Sequence, residues 1–486
     1  MKKFFLLISI FAILHTQAQI TFEKTYETTD FRSLVQTPDS GYCLVGDYYN
    51  YSTDKQTGFI IRTDKYGETL WHKEFAFSNY TYCPSITTTP DSAFVVAGTS
   101  IINDNEMYIM KIDKNGDSIW CKTYSFIDVA CIYKIITTSD GGFAFTGTGF
   151  ELSDSFYANF GFLLRCNQFG DTLFYQRLYD NETNTYESFF SLINCNDNGF
   201  ALCGYSSDTT TASLDAPLWV NVTRLDSMGE IVFSREYKIA SGDQNYCGND
   251  LCQDNQGNLV VCASRTYSPS SLAPTWLIKL NEWGDTLFTK TVALDGYVGG
   301  HQTIFNAGAS GFVVGTHMVV YPNAYAALFK VDTTFNLTWQ STFDGLNFAR
   351  FWNAIATTDG GYTILGTTYD LNNQPYGYLA KTDEDGLITG IGETLTGRKP
   401  VPYAIEPNPI TGQTISLRAY EGFKGPLHFE VLASTGQCVH KGIISPGVGN
   451  TLTTLQLPGV AKGLYLLVLQ PHNSTMAGTT LKLMVN

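Results

Sequence analysis

The sequence predicts an all-β protein built from repeated units, and three observations support this. Charged residues form only 15% of the chain and aromatic residues 14%, so ample apolar surface can be buried and extensive disorder is excluded. Short apolar runs containing Thr, Tyr, Val and Ile alternate with Asx-Gly turns, as β structure requires. Finally, the same two sequence phrases recur along most of the 486 residues.

The first phrase is a polar turn, a Gly with an aromatic residue, an apolar run and a closing Gly. It occurs as DSGYCLVG (39–46), DSAFVVAG (91–98), DGGFAFTG (140–147), DNGFALCG (197–204), DNQGNLVVCA (254–263), SGFVVG (310–315) and DGGYTILG (359–366). A second phrase follows each one and contains a second turn with an Asx residue. These residues are Asp64, Asp113, Asn167, Asp226, Asn281, Asp332 and Asp383. Their period is roughly 50 residues, which is typical of propeller and solenoid repeats.

Each repeat carries four short runs of strand character. In the first repeat they cover residues 33–37, 42–45, 59–63 and 69–75, with tight Asx-Gly turns between them. Four antiparallel strands repeated seven times predict a seven-bladed β-propeller over residues 19–391. A linear solenoid is the competing architecture.

The two ends of the repeat region favour a closed ring. Six repeats have an aromatic residue seven positions after the Asx, and most have another apolar residue four positions later. The seventh repeat breaks this rule with Gly390, whereas Phe22 and Tyr26 near the start of the chain have the same spacing of four. We therefore expect the N-terminal strand to complete the last unit, which leaves no unpaired sheet edge. The repeated Trp and Phe residues are interpreted as packing between units.

Residues 1–18 have the pattern of a secretory signal peptide. Lys2 and Lys3 precede an apolar run over residues 4–14, and Thr16-Gln17-Ala18 supplies small residues before a cleavage point. The apolar run is shorter than the roughly 20 residues that span a bilayer. The sequence thus predicts an exported protein that starts at Gln19 and is secreted or held on the cell surface.

Charge and motif content restrict the function. The chain has 45 acidic and 30 basic side chains, a net charge of −15, which disfavours nucleic acids and anionic membranes as partners. The GxSxG, HExxH and P-loop motifs are absent, and no Cys or His spacing indicates zinc. We expect no catalytic motif, no metal and no cofactor. Asp113 to Asp117 resembles part of a calcium loop but is interpreted as a hairpin turn.

Eleven cysteines in an exported chain raise the question of disulfides. Cys43, Cys203 and Cys262 lie inside apolar runs and are predicted to be buried thiols. Three more, Cys83, Cys131 and Cys247, lie near the start of a repeat's first strand, where pairing stays open.

A candidate binding site follows from the ring geometry. Long, unequal connections (47–58, 148–161, 205–218, 263–275 and 316–326) are expected as loops on one face, where binding usually occurs. Five residues just before the innermost strands are expected at the channel mouth on that face: Arg32, Tyr133, Phe190, His301 and Trp352. A glycan or a protein would be the ligand of a non-catalytic module. Two other hypotheses stay open, a glycan-degrading enzyme, which two or three acids at the mouth would favour, and an adhesive or structural spacer.

The repeats stop after Ile391, and residues 392–402 have the composition of a linker. Residues 403–486 form a different β pattern. Alternating apolar residues at 427, 429 and 431 and at 464, 466 and 468 predict a small β-sandwich.

Three short motifs mark this C-terminal region: Pro407-Asn408-Pro409, Ser434-Thr435-Gly436-Gln437 and Lys462-Gly463-Leu464-Tyr465. Together they resemble the type A C-terminal sorting domain of type IX secretion cargo, over nearly all of the region 403–486. The match departs from the family pattern at Glu406, where an aromatic is usual, and at Asn486, where a basic residue is usual.

The resemblance implies that this domain is an address. It would direct the exported chain to the outer-membrane type IX translocon, after which a sortase usually removes the domain and can join the cargo to surface lipopolysaccharide. By this resemblance Pro407, Asn408, Pro409, Gly436, Gly463 and Tyr465 belong to the sorting signal. An ordinary carbohydrate-binding or adhesin sandwich is the alternative.

Overall fold

The structure is a computed structural model. It describes residues 19–27, 30–101, 105–125, 129–153, 156–178, 185–208, 217–239, 245–265, 274–320, 323–343, 348–370, 374–388, 403–405, 414–419, 427–433, 437–444, 452–457, 459–471 and 479–485. The predicted signal peptide (1–18), the predicted linker (392–402), Pro407, Asn408, Pro409 and Gly436 lie outside the described residues.

The described part of the chain is all-β, apart from one 3-10 turn at Gly308–Ser310. No helix in this part is long and apolar enough to cross a membrane. Strand β1 covers Phe22–Tyr26, and the strands after it fall into consecutive units. Units one to three consist of β2 (Phe31–Gln36), β3 (Tyr42–Asn50), β4 (Lys55–Thr63) and β5 (Thr69–Phe75); β6 (Tyr80–Thr88), β7 (Phe94–Ile101), β8 (Asn105–Ile112) and β9 (Ser118–Tyr124); and β10 (Val129–Thr137), β11 (Phe143–Ser153), β12 (Phe156–Cys166) and β13 (Thr172–Leu178).

The remaining strands continue this order. Units four to seven consist of β14 (Thr185–Asn194), β15 (Phe200–Asp208), β16 (Leu218–Leu225) and β17 (Ile231–Tyr237); β18 (Tyr246–Gln253), β19 (Leu259–Arg265), β20 (Thr275–Leu280) and β21 (Thr286–Val292); β22 (Tyr297–Asn306), β23 (Phe312–Val320), β24 (Asn323–Val331) and β25 (Leu337–Phe343); and β26 (Phe348–Ala356), β27 (Tyr362–Tyr369) and β28 (Pro375–Thr382). The C-terminal strands are β29 (Tyr403–Ile405), β30 (Thr414–Ala419), β31 (Leu427–Ala433), β32 (Cys438–Ile444), β33 (Leu452–Gln456), β34 (Gly463–Pro471) and β35 (Thr479–Val485).

Each unit is an antiparallel sheet whose strands follow one another in chain order. The first two units are joined by one parallel pair, Gln56 with Tyr80. Among the described residues the seventh unit has three strands of its own, and β1 pairs with β28 as its fourth, from Phe22 opposite Lys381 to Tyr26 opposite Gly377. This confirms that the N-terminal strand completes the last unit.

The units pack against one another in sequence, and the seventh packs against the first. Hydrophobic clusters between units combine buried residues of two neighbours, as where Val95 of unit two meets Phe145 of unit three. The same holds across the ends of the repeat region, where Phe59 of unit one shares a cluster with Leu379 of unit seven. No single unit could bury its two faces alone, so the cores between units hold the repeats together.

The turns between the third and fourth strands of the units are built by the Asx residues of the second phrase. In unit two the Asp113 Oδ1 accepts backbone N–H bonds from Asn115 at 2.8 Å and from Asp117 at 2.9 Å. Gly116 has φ +84°, which a residue with a side chain rarely adopts. The Asp113–Asp117 segment is therefore a hairpin turn, as interpreted from the sequence.

The aromatic residue of each second phrase packs on the next unit's turn. A Cβ atom on Gly116 would lie 2.9 Å from the Trp71 ring of the preceding unit, so only glycine allows this contact. Corresponding pairs are Trp120 with Gly170, Phe174 with Gly229, Phe233 with Gly284, Trp339 with Gly386 and Phe22 with Gly67. In unit six Phe335 replaces the glycine and meets Phe288 with ring centroids 4.7 Å apart. The interpretation of these aromatics as packing between units is confirmed.

Three of the predicted long loops are mostly strand, and one of them is 316–326, where β23 extends to Val320 and β24 begins at Asn323. In the 47–58 segment β3 extends to Asn50 and β4 begins at Lys55, and in the 148–161 segment β11 extends to Ser153 and β12 begins at Phe156. The loop prediction was wrong there because Tyr, Thr and Gln suggest a polar loop. They instead pair across a twisted hairpin, as Tyr48 does with Thr57.

The predicted buried thiols are confirmed, since Cys43, Cys203 and Cys262 have no exposed surface. Cys83 and Cys247 are buried as well, and Cys131 is half-buried. The cysteines in the described ranges are free thiols. Burial raises the pKa of the Cys43 and Cys83 thiols well above the ordinary value, so these thiols stay protonated and unreactive.

The C-terminal strands form two antiparallel sheets, β29-β30-β33 and β32-β31-β34-β35. Both sheets contribute to one hydrophobic cluster, with Ile415 from the first and Phe429 and Val431 from the second. The face predicted for β34 was wrong by one residue: Leu467 and Leu469 are buried there, opposite Val431 and Phe429, whereas residues 466 and 468 are half-buried. The run LYLLVL is apolar at every position, so its sequence carries no alternation to fix the face.

Candidate functional site: a cavity bordered by seven inner strands

The first strand of each unit is called its inner strand here. A cavity of about 880 Å³ lies at one end of these inner strands. The first strand of each of the seven units borders it. Its volume is in the range of about 300–1,000 Å³ that is usual for small-ligand sites.

Each inner strand contains a register shift where it borders the cavity. The shifted residues lie between Phe31 and Ser33 in β2, Tyr82 and Ser85 in β6, Ile132 and Lys134 in β10, Phe189 and Ser191 in β14, Gly248 and Asp250 in β18, Gly299 and Gln302 in β22, and Phe351 and Asn353 in β26. A β-bulge leaves its extra residue unpaired and re-aims that side chain. The unpaired residues among them that line the cavity are Arg32, Pro84, Tyr133, Phe190, Asn249, Gly300, His301 and Trp352.

The structure brings all five predicted mouth residues together, since Arg32, Tyr133, Phe190, His301 and Trp352 line this one cavity. Sequence reasoning missed two bulge positions, Pro84 and Asn249. A spacing that every unit except the sixth shares could have found them. The bulge residue stands five positions before the residue that opens the next turn, Thr37 after Arg32, Thr89 after Pro84 and Asp254 after Asn249.

In five of the units the closing glycine of the first phrase makes room for the bulge, whereas unit five has Ala263 at this position, opposite Gly248. Gly204 pairs with Phe189, the residue before the bulge in β14, and a Cβ atom on Gly204 would overlap the Ser188 carbonyl oxygen. Gly147 is likewise placed against the Cys131 carbonyl oxygen. The repeated glycine was thus a sequence signal for the bulge that shapes the cavity.

Trp352 is the centre of a cationic cluster. Its Nε1–H donates to Thr367 Oγ1 at 2.8 Å, which fixes the indole. The guanidinium carbons of Arg32 and Arg350 lie 4.9 Å and 5.8 Å from its ring centroid, within cation–π range. The His301 ring centroid is 5.3 Å from the same ring.

A second aromatic group comes from units three and four, the units farthest along the cycle from Trp352. The Tyr133 and Phe190 ring centroids are 5.1 Å apart at 78°, an edge-to-face contact, and Phe190 lies 5.7 Å from Tyr205. Burial raises the pKa of Tyr133, so its hydroxyl remains a hydrogen-bond donor at neutral pH.

Two carboxylates border the cavity, and both are engaged by its wall. Asp47 accepts hydrogen bonds from the Gln56 side chain and, at 3.2 Å, from the Cys83 backbone N–H. Asp250 accepts from the Ser191 hydroxyl and, at 2.9 Å, from the Ile304 backbone N–H. These acids hold neighbouring units together.

The cations are less engaged than the acids. In the cavity lining Arg32 Nε lies 3.6 Å from Asp47, and Lys134 forms no ion pair with a carboxylate among the described residues. Arg350, which lies beside the cavity on Trp352, forms none in the described ranges either. Burial, then the charges of Arg32 and Arg350, lower the pKa of His301, so this imidazole is neutral at pH 7. The pKa of His317 falls to about 4 for similar reasons, with burial first and Arg350 next.

Polar atoms without partners also occur at the cavity wall. Gln302 is 3% exposed and donates through Nε2 to Thr275 Oγ1 at 2.8 Å, but its Oε1 has no hydrogen-bond partner among the described residues. The same is true of the Thr303 hydroxyl. In the described ranges no group of three or more His, Cys, Asp or Glu converges as a metal site.

Of the six predicted sorting-signal residues, Gly463 and Tyr465 lie within the described residues. Gly463 opens β34 and pairs with Val485 of the final strand. The Tyr465 hydroxyl donates to the Ala461 carbonyl at 3.0 Å, and its ring packs against the C-terminal core. Both residues therefore help to shape the turn before β34.

No protein-family model and no curated protein sequence matches the chain. Among solved structures it is similar to PorZ, a bacterial surface component of the type-IX secretion system of Porphyromonas gingivalis, at 12% identity and a TM-score of 0.42. This likeness covers 94% of the chain and 59% of PorZ. The β-propeller domain of the Trilobed protease from Pyrococcus furiosus (8% identity, TM-score 0.43, 77% of this chain and 100% of that one) and the polysaccharide lyase Uly1 (9%, 0.46, 74% and 90%) are also similar.

Proposed function

We propose that this chain is an exported protein whose seven units form a closed seven-bladed β-propeller that binds a glycan or a protein without catalysis. The observation that carries the proposal is the cavity itself. All seven units contribute an inner strand to it, and the bulges present side chains of different chemistry there. The pairing of β1 with β28 and the packing of unit seven on unit one support ring closure.

A glycan-degrading enzyme is the second candidate, and the cavity gives it less support. Such enzymes need one carboxylic acid to protonate the leaving group and a second carboxylate as base or nucleophile. Asp47 and Asp250 are the two acids of the cavity lining, and both accept hydrogen bonds from wall groups. A catalytic acid bound in this way would have to give up those bonds to reach a substrate.

The binding proposal is tested by probing a glycan and peptide array with the full chain. We expect saturable binding to one ligand class, reduced at least tenfold when Trp352 or Tyr133 is changed to Ala. The matched control is Trp283→Ala, because Trp283 is 60% exposed on a turn of unit five outside the cavity lining. Binding that survives both cavity substitutions, or no binding on the array, would contradict the proposal.

We further propose that residues 403–486 form a small β-sandwich that acts as a type IX sorting domain, preceded by a linker over 392–402 and, at the N-terminus, by a signal peptide over 1–18. Two C-terminal sheets that share one core support the sandwich, and the motifs around Gly463 and Tyr465 support the sorting role. The partners would be the outer-membrane translocon and its sortase, and the protein would reach the cell surface or the medium.

The sorting role is tested in a bacterium that has a type IX secretion system. The full chain should reach the surface or the medium, whereas a chain ending before Tyr403 should accumulate in the periplasm. Cys438→Ser, at an exposed position in β32, serves as the control that leaves export unchanged. Export of the truncated chain at the full-length level would contradict this role.

A further inference from the structure

We propose that the cavity selects acidic glycans, sugar chains that carry carboxylate or sulfate groups. This inference rests on the proposed binding function and names its ligand class. Its starting point is an imbalance of charge. The chain as a whole has a net charge of −15, yet Arg32, Lys134 and Arg265 line the cavity and Arg350 lies beside it on Trp352, whereas only Asp47 and Asp250 bring negative charge to the lining.

Arg350 lies outside the cavity lining but contacts Trp352, which is part of it. It is exposed, and its contact is with the Trp352 ring rather than with a carboxylate. The Arg32 guanidinium also contacts the Trp352 ring, and its only ion pair among the described residues is the 3.6 Å contact with Asp47. Two guanidinium groups that share one indole repel each other, and an anion between them would remove that repulsion.

Nearby acids do not replace such an anion. Asp30 faces both Arg32 and Arg350 but forms no ion pair with either in the described structure, and burial raises the pKa of its carboxyl group. Asp47 is 1% exposed, and its oxygens already accept bonds from Gln56 and Cys83. Lys134, on the inner strand of unit three, also lines the cavity and forms no ion pair in the described ranges, so an extended ligand would meet positive charge at two places.

The uncharged lining suits a sugar. Trp352 and the Tyr133–Phe190–Tyr205 group provide aromatic surface at two places, and planar aromatic rings are the surfaces on which sugar rings stack. Hydroxyl and amide groups fill the wall between them, and Gln302 Oε1 and Thr303 Oγ1 are buried without partners among the described residues. Such atoms are costly to leave unpaired, and sugar hydroxyls can both donate to and accept from them.

An acidic peptide is the competing anionic ligand, and the strand geometry disfavours it. An extended peptide binds a sheet by adding a strand along a regular exposed edge. Here every inner strand is interrupted by a bulge where it borders the cavity, which breaks the regular ladder of backbone groups. The cavity volume of about 880 Å³ also fits a short oligosaccharide or the end of a chain rather than a folded domain.

The test uses the full chain and pairs of matched probes. Tetragalacturonate and its methyl ester share one sugar backbone, but only the first carries charge, and a sulfated tetrasaccharide with its desulfated form makes a second pair. Isothermal titration calorimetry measures affinity, and an acidic glutamate peptide is included. Lys134→Gln removes one cation of the cavity lining, and Arg350→Gln removes the cation that contacts Trp352 beside the cavity. Lys114→Gln is the control, because Lys114 lies in the exposed Asp113–Asp117 turn.

We expect at least one acidic tetrasaccharide to bind at least tenfold more tightly than its uncharged partner. Arg350→Gln should lower that affinity about tenfold, Lys134→Gln less, and Lys114→Gln not at all. Thermal unfolding of each variant checks that it is folded, and Arg350→Gln removes no buried contact. The carboxylated and sulfated probes show which anionic group is preferred.

Other outcomes overturn the inference in distinguishable ways. Equal affinity for charged and uncharged probes, with loss of both in Trp352→Ala, would refute the acidic ligand and leave the binding module intact. Tighter binding of the glutamate peptide than of any sugar would refute the glycan class. No binding by any probe, together with an array without ligands, would refute both the inference and the proposed function.

Discussion

The two ends of the repeated units differ in how much they vary. The turn end is the end that carries the turns between the third and fourth strands. There nearly every unit makes the same contact, in which an aromatic ring of one unit packs on a turn glycine of the next, as Trp71 does on Gly116. At the cavity end the bulge residues are Arg32, Pro84, Tyr133, Phe190, Asn249, His301 and Trp352, which are seven different residue types. The comparison indicates that packing holds the turn end constant, whereas the cavity end is free to vary, as a binding surface requires.

The pairing of charged side chains also differs between the turn end and the cavity end. On the first turn of most units a basic residue of the third strand pairs with an aspartate, such as Arg62 with Asp39 at 2.6 Å and Lys381 with Asp359 at 3.0 Å. Lys134 in the cavity lining and Arg350 beside it have no such partner in the described ranges. The basic residues of most first turns are therefore neutralised, whereas Lys134 and Arg350 are left available for a ligand.

Phe22→Ala should produce the largest loss of stability. Phe22 is 4% exposed and packs on Tyr42 and on Gly67 of unit one, so its removal opens the contact that closes the cycle. We expect the free energy of unfolding to fall by about 3–5 kcal/mol in urea denaturation. Lys24→Ala, which removes only the exposed pair with Glu68, should cost no more than about 1 kcal/mol. Similar losses for the two variants would contradict a packed closing strand.

Gly204→Ala tests whether the bulges depend on the closing glycines. The added methyl group would overlap the Ser188 carbonyl oxygen next to the bulge, and backbone there cannot move without disturbing β14. We expect a loss of about 3 kcal/mol, measured by chemical denaturation. Gly299→Ala is the matched control, since nothing lies within 4 Å of its Cβ position, and should change stability by less than about 0.5 kcal/mol. An unaffected Gly204→Ala variant would show that the bulge does not need glycine.

The stability of the cavity end should fall in mild acid because of His317. Its pKa is about 4 in the folded chain, owing to burial, Arg350 and His301, against about 6.5 when unfolded. The unfolded chain therefore binds the proton first, so this contribution is intact above pH 6.5 and is lost as the pH falls to 4.

Between pH 7 and pH 4.5 the expected loss is about 2 kcal/mol. Urea unfolding of the wild type and of His317→Asn at both pH values isolates the effect, because all other titrating groups are common to the two proteins. The free energy of unfolding of His317→Asn should therefore not show this loss between pH 7 and pH 4.5. Equal losses would mean that His317 does not titrate in this range.

How far the sequence could predict the structure differs between these regions. The turn end was predictable because each contact recurs, so the gap left by Gly390 identified Phe22 and Tyr26 as the closing strand. The position of the cavity was predictable from the same period, but Pro84 and Asn249 were missed because proline and asparagine do not suggest a mouth residue.

Three features could not be obtained from the repeats. The contacts around Trp352 join units one, six and seven, and nothing in the local sequence of any one unit encodes them. The hairpin extensions in unit one depend on cross-strand pairs such as Tyr48 with Thr57. The face of β34 is set by its pairing with Phe429 and Val431, because its own sequence is uniformly apolar.

The most direct test of the division between the two ends compares two tryptophans. Trp352 belongs to a cavity bulge, and Trp339 packs on Gly386 at the turn end. We expect Trp352→Ala to reduce ligand affinity at least tenfold with a small change in the free energy of unfolding. Trp339→Ala should lower that free energy by about 2–4 kcal/mol and leave the affinity of the folded protein unchanged. The reverse pattern, or equal loss of affinity in both variants, would contradict the account.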